Sequence, residues 1–137
     1  MKNFNKDKLV VNSYDTIFDM GKAAAKDVAD AICAHLENNE EVNMIFAAAP
    51  SQNELLINLT SDPRVDWTRV NAFHMDEYVG LDSSHPQSFG AFLRERIFGK
   101  LPFKSVNYIN GAAISPEEEC SRYAALLEEK PVDIVCM

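Results

Sequence analysis

Positive charge is scarce in this chain. Its 137 residues include 13 Lys and Arg against 21 Asp and Glu, a formal net charge of -8. Coating nucleic acid needs clustered cations facing the phosphates, so a nucleic-acid partner is disfavoured. An anionic membrane surface is disfavoured for the same reason. Long apolar runs are missing too. Nothing approaches the roughly 20 residues that span a bilayer, and Met1 to Leu9 is polar, without the apolar segment of a signal peptide. A cytoplasmic protein is expected. Cysteine is sparse: Cys33, Cys120 and Cys136 are far apart and show no CxxC or Cys/His spacing of a zinc site. Reduced, buried thiols are expected. The 5 glycines form neither a P-loop nor a G-x-G-x-x-G turn. No serine sits in G-x-S-x-G and no cysteine has an evident histidine partner, so nucleophilic catalysis has little support. No cofactor and no metal are expected.

What is present suits one domain. Hydrophobic residues make up 47% and charged residues 25%, and a chain of this length can bury a core without disulfide or metal staples. Lys8 to Val11 predicts a short strand. Ser13 is the expected cap of a long helix with an apolar stripe of Ile17, Met20, Ala24, Val28, Ala31, Ile32 and Leu36. Val42 to Ala48 predicts a strand buried on both faces. A turn at Pro50–Asn53, a short helix at Glu54–Leu59, a strand at Val70–Phe73 and a loop at Asp76–Pro86 follow. Ser88 caps a helix through Phe89, Phe92, Leu93 and Ile97 that ends at Gly99. Val106 to Ile109 is a third strand. Ser115-Pro116-Glu117-Glu118 opens a helix that turns Tyr123, Leu126 and Leu127 inward. Val132 to Met137 is a last strand. Strands alternating with helices predict an α/β fold, a Rossmann-like three-layer sandwich with a mostly parallel sheet. Ligands of such folds sit beyond the carboxyl ends of the strands.

Two segments occupy that location. Ala49-Pro50-Ser51-Gln52-Asn53-Glu54 joins a buried strand to a helix, where Ser51, Gln52 and Asn53 offer donors to an anion. The plainer reading is a helix cap made by Ser51 or Asn53. His74-Met75-Asp76-Glu77-Tyr78-Val79-Gly80-Leu81 places two carboxylates after an apolar strand. A carboxylate partly desolvated at that rim becomes a usable general base. The plainer reading is a solvated acidic loop. His74, Asp76 and His85 can be considered together as metal ligands, but their spacing matches no known site.

The stretch from Phe73 to Leu81, followed by His85-Pro86-Gln87-Ser88-Phe89, resembles the signature of the glucosamine-6-phosphate deaminase/isomerase family, M-D-E-Y-V-G-L followed by H-P-x-S-[YF]. A weaker resemblance runs over most of the chain, through Asn107-Tyr108-Ile109-Asn110-Gly111 and the helix with Cys120 and Tyr123. The 6-phosphogluconolactonases share the fold more than the motif. The resemblance implies an enzyme that opens the ring of an amino-sugar phosphate and moves a proton between C1 and C2. Ammonia is released and fructose 6-phosphate remains. Asp76 matches the family's C2 base, with Glu77 and Tyr78 shaping the loop. Ser51 and Gln52 match the phosphate-binding turn, which in the family is rich in Thr, Ser and Gly; here Pro50 and Gln52 stand in it and the close approach that glycine permits is reduced. The implied partner is a small sugar phosphate, and family members are often homo-oligomers. The family's ring-opening Asp, His and Glu follow a Gly-rich turn beyond the position of Met137. Residues 1–137 are therefore expected to be a single α/β domain forming the N-terminal portion of a longer enzyme. The alternatives are a lactonase-like hydrolase and a non-catalytic sugar-phosphate-binding module.

Overall fold

The structure, a computed structural model, describes residues 2–137. It opens with a hairpin that polar composition conceals. Lys2–Lys6 (β1) pairs antiparallel with Leu9–Ser13 (β2), in the register Lys6↔Leu9 and Lys2↔Ser13. Asp7 turns the chain with φ 55°, a left-handed conformation that a short polar side chain tolerates. The strand expected at Lys8–Val11 is therefore shifted and gains a partner. Ser13 belongs to it and cannot cap the following helix. Thr16 does so, its hydroxyl accepting the Asp19 N–H at 3.1 Å, because the cap must be the extended residue immediately before the first helical turn.

The long helix α1 (Ile17–Leu36) buries Gly21, Ala25, Ala29 and Ile32. Of the expected stripe only Ile32 is fully buried, while Ile17, Met20 and Ala31 are exposed. The physical cause is the closeness of α2 (Asn53–Leu59). A Cβ on Gly21 would overlap the Glu54 Cβ, so near α2 the packed face takes small residues and Ile17 and Met20 turn outward, while Val28, Ile32 and Leu36 of the stripe pack on the core.

Four parallel strands form the sheet: β3 (Val42–Phe46), β4 (Val70–His74), β5 (Ser105–Asn107) and β6 (Ile134–Cys136), in the order β5-β4-β3-β6. Register pairs Met44 with Ala72 and Ile134, and Phe46 with His74 and Cys136. Side chains alternate across a strand. Val42, Met44, Phe46, Val70, Ala72 and Cys136 thus share one face. They pack with Ala29 and Ile32 of α1, with Leu56 and Leu59 of α2, and with Leu93, Ile97 and Phe98. Phe98 meets Phe46 edge to face at 5.5 Å. The other face carries Asn43, Ile45, Asn71, Phe73, Ser105 and Val135. Asn71 is fully buried there, donating to Asn43 at 2.9 Å and accepting from Ser105 at 2.7 Å. β3 is fully buried on one face and half-buried on the other, whereas β4 is buried at every position.

Ser88 caps α3 (Phe89–Leu93), which runs into one π turn, Arg94–Phe98, before Gly99. Ser115 caps α4 (Pro116–Glu129), with Pro116 at its first position. α4 covers the second sheet face through Tyr123. That ring meets Phe73 edge-on at 6.2 Å, and its hydroxyl donates to the His74 carbonyl at 2.6 Å. Helices on both faces of a parallel sheet make the three layers that the alternation predicts. Among the described residues no helix is long and apolar enough to cross a membrane. The cysteines are free: Cys136 is buried, Cys33 half-buried and Cys120, contrary to expectation, exposed on α4.

Candidate active site

The carboxyl ends of β3, β4 and β5 open into three neighbouring turns. The Met75 N–H donates to the Phe46 carbonyl at 3.1 Å, and the Ala47 N–H to the Cys136 carbonyl at 2.8 Å. The strand ends are thereby kept level. The turn after β3 begins as a single 3-10 turn, Pro50–Gln52, and leads into α2. Ser51 is exposed there, and Gln52 is 7% exposed. Neither helix start is capped by a side chain, so the cap expected from Ser51 or Asn53 does not form. Asn53 instead accepts the Arg96 Nε at 2.8 Å.

The two adjacent carboxylates of the β4 turn have opposite fates. Asp76 is exposed, so the desolvated rim carboxylate that the sequence suggests is not Asp76. Glu77 is the buried one, its side chain 3% exposed. It caps α3 by accepting the Ser88 hydroxyl at 2.6 Å and the Phe89 and Gly90 N–H groups at 3.0 Å each. It also accepts the Tyr78 N–H at 2.9 Å. Burial pushes the Glu77 carboxyl up, but Ser88 and these N–H groups outweigh it and hold the group below its ordinary value. Glu77 is a fixed anion that orders the loop. The β4 and β5 turns are then clasped, the Gly80 N–H donating to the Gly111 carbonyl at 2.6 Å. On the β5 side Glu119 accepts the Asn110 N–H at 2.7 Å and is paired with Arg122. The Arg122 hydrogen bonds bring the Glu119 carboxyl down to about 2.

Asp76 looks into a small cavity of about 250 Å³, lined also by Glu77, Val79, Ile109, Asn110, Gly111, Glu119 and Cys120. A second cavity of about 360 Å³ lies between Ala48 and Pro50 on one side and Tyr78, Pro86, Gln87, Ser88 and Phe89 on the other. Ser51 and Gln52 line neither. A wider cavity, about 890 Å³, runs along α1 and the segment after α2, past Lys22, Asn58 and Arg64, and holds none of the expected site residues. The trio considered as metal ligands is spread among other partners. His74 is buried against Glu77, and His85 Nδ1 accepts the Gln87 N–H at 3.2 Å. Among the described residues no group of three or more His, Cys, Asp or Glu side chains is placed to hold a metal ion.

Sequence reasoning missed the Asn110–Glu119–Arg122 cluster and the inward histidine. The cluster had a faint signal in Glu119 and Arg122, spaced three apart on a helix. His74 had none beyond its place at a strand end.

The model of the family described as glucosamine-6-phosphate isomerases/6-phosphogluconolactonase matches residues 16–137. A glucosamine-6-phosphate deaminase of Listeria welshimeri is 39% identical over 94 residues, 69% of this chain and 40% of that protein. One of Lacticaseibacillus paracasei is 32% identical over 118 residues, 86% of this chain and 49% of that protein. The chain thus spans less than half the length of these relatives. Among solved structures, a monomeric glucosamine-6-phosphate deaminase aligns with a TM-score of 0.74 at 23% identity, over 85% of this chain and 48% of that one. A 6-phosphogluconolactonase of Plasmodium vivax aligns with a TM-score of 0.81 at 13% identity, over 97% of this chain and 48% of that one. At such identities the two structures speak for the fold.

Proposed function

The chain belongs to the family of glucosamine-6-phosphate isomerases and 6-phosphogluconolactonases, and from that premise we propose that it carries the enolisation base of a glucosamine-6-phosphate deaminase. Asp76 is that base. It takes the C2 proton of the ring-opened amino sugar, and return of a proton to C1 leaves an imine at C2. Water hydrolyses the imine to the ketone, fructose 6-phosphate, and ammonia. The observation that carries this reading is the paired arrangement of Asp76 and Glu77. One carboxylate is locked as an anion into the start of α3, and its neighbour is left exposed on the wall of a small cavity at the end of the central strand. An enolisation base needs this combination of a fixed backbone and an open carboxylate.

Ser51 and Gln52 are proposed to meet the phosphate. In the structure they stand on the turn after β3, outside the two rim cavities. A small sugar phosphate is the proposed partner, in a cytoplasmic enzyme without a bound cofactor that is open to homo-oligomerisation. Residues 1–137 are proposed to be one α/β portion of a longer enzyme, with ring opening performed by groups outside it.

The test is product analysis on the enzyme carrying this chain. Glucosamine 6-phosphate is expected to yield ammonia and fructose 6-phosphate in equal amounts. Asp76→Asn is expected to lower kcat about 100-fold or more, the usual worth of a positioned proton-transfer group, with KM little changed. Hydrolysis of 6-phosphogluconolactone in place of ammonia release would favour the lactonase reading. Ligand binding without turnover in the wild type would favour a sugar-phosphate-binding module. Residues 1–137 alone are expected to release no ammonia.

A further inference from the structure

Two buried side chains flank Asp76 in sequence, and capping of α3 accounts for only one of them. The other is His74, which is 0% exposed. Its Nδ1 accepts the Ile109 N–H at 3.4 Å, so that nitrogen carries no proton and the proton of a neutral ring sits on Nε2. Nε2 has no hydrogen-bond partner among the described residues and faces the Glu77 Oε2 at 3.8 Å. That separation is beyond hydrogen-bond range. Burial pushes the imidazole down from its ordinary value, against the pull of the Glu77 and Asp76 carboxylates and the Asp76 backbone. The ring is therefore neutral, and the approach is that of an N–H dipole to a fixed anion.

The surroundings close on this pair from every side. From the segment after β5, the Tyr108 ring lies 6.1 Å away, edge-on. From α4, the Tyr123 hydroxyl bonds the His74 carbonyl. From α3, a Cβ on Gly90 would lie 3.4 Å from the Glu77 Oε2 and 3.5 Å from the His74 Cε1, so the helix start seals the contact against water. The titratable groups facing the ring are Glu77 and Asp76 on its own turn and Tyr108 after β5; Tyr123 meets only the backbone carbonyl.

We propose that His74 is the positioning residue of the Asp76 turn. Its ring accepts the Ile109 N–H of the turn after β5 and points its Nε2–H dipole at the Glu77 carboxylate, 3.8 Å away. The backbone is thus held at residue 74 and at residue 77, and Asp76 between them stays open to the cavity. An apolar side chain in its place would leave the Ile109 N–H unpaired and turn hydrocarbon toward a buried carboxylate, both unfavourable. The inference deepens the reading of Asp76 as the enolisation base and rests on it for its catalytic consequence.

The test begins with the nitrogen-15 spectrum of the histidine rings in the 137-residue chain, His74 being identified by the signal missing in His74→Gln. The expected ring is neutral and protonated on Nε2 at about pH 7, and it takes up its second proton only below the ordinary value of 6.5. A ring protonated on Nδ1, or charged at about pH 7, overturns the proposal. Gln retains a donor near the Nε2 position and Asn an acceptor near the Nδ1 position. His74→Gln is therefore expected to keep the amide signals of Asp76 to Gly80 and move that of Ile109, and His74→Asn to do the reverse. Unchanged signals in both segments of both variants overturn it. In the enzyme carrying this chain, His74→Asn is expected to lower kcat about tenfold with KM within about twofold, the signature of a displaced base, and His74→Gln to keep most of the turnover. Wild-type kcat in His74→Asn overturns the positioning role. Normal turnover by Asp76→Asn overturns the base reading and leaves the ring geometry to be decided by the spectra.

Discussion

Glu77 and Asp76 are adjacent and chemically alike, yet the fold gives one a structural task and the other an exposed place on a cavity wall. The difference lies in donors. Glu77 collects one hydroxyl and three backbone N–H groups, and two of those N–H groups are first-turn groups of α3 that no helical carbonyl serves. A carboxylate at a helix start also meets the favourable end of the helix dipole. Glu77→Gln turns one acceptor oxygen into a donor facing other donors. It is expected to cost about 2 kcal/mol, read as a lower urea midpoint at neutral pH. The pH dependence has a definite sign. The folded Glu77 carboxyl lies below its ordinary value of 4.5, so its stabilisation is complete above that value and is lost as pH falls through the folded one. The gap between wild type and Glu77→Gln should narrow below about pH 4.5. Cys136 belongs to the same scale: burial pushes its thiol up to about 12, which makes it part of the core and a poor nucleophile.

Among the elements, α1 departs furthest from its sequence pattern. The later residues of its apolar stripe, Val28, Ile32 and Leu36, pack on the core, but its first half packs on the face of Gly21, Ala25 and Ala29 and leaves Ile17 and Met20 outside. Hydrophobic periodicity assumes that bulk is what gets buried. Here the nearness of α2 rewards smallness, and the backbone of α1 passes close to Glu54. Gly21→Val is expected to destabilise the chain by about 1–3 kcal/mol, the usual range for overpacking, despite removing a helical glycine. Thermal unfolding measures it; a stability equal to or above wild type would mean that the two helices can separate at little cost. The helix starts were more legible. Ser88 and Ser115 stand immediately before a first helical turn and cap it. Ser13 looked equivalent, but β1 claims it by pairing, and Thr16 takes the cap. A cap is a local signal only when no strand competes for the residue.

For the whole molecule, acid should be the effective denaturant. Two carboxylates tie distant segments together. Glu41 pairs with Lys104 before β5 and with Lys130 after α4, and the hydrogen bonds of Lys104, Asn71 and Lys130 bring it down to about 2. Glu119 joins α4 to the β5 turn and is brought down to about 2 by Arg122. Both groups lie below their ordinary 4.5 when folded, so their contribution holds above that value and is lost progressively between about 4.5 and 2. A urea titration at about pH 3 is expected to show a clearly lower midpoint than at about pH 7, and Arg122→Met is expected to shrink that difference. An unchanged midpoint across that range would remove these pairs as stabilising links.

Local order already established much of this protein. Alternating apolar runs and helical periods are short-range properties, and they sufficed for an α/β chain with strands within Val42–Ala48, at Val70–Phe73 and within Val132–Met137, and helices opening at Ser88 and Ser115. The Phe73–Leu81 motif, continued at His85–Phe89, sufficed for the family and for Asp76 as the residue of interest. Tertiary structure alone decided which neighbouring carboxylate is buried, which face of α1 is packed, and that His74 turns inward between two turns. Those outcomes depend on donors and volumes brought from β5, α2, α3 and α4, segments up to 49 residues away along the chain. Burial and hydrogen-bond supply are properties of the assembled packing, and a single stretch of sequence does not contain them.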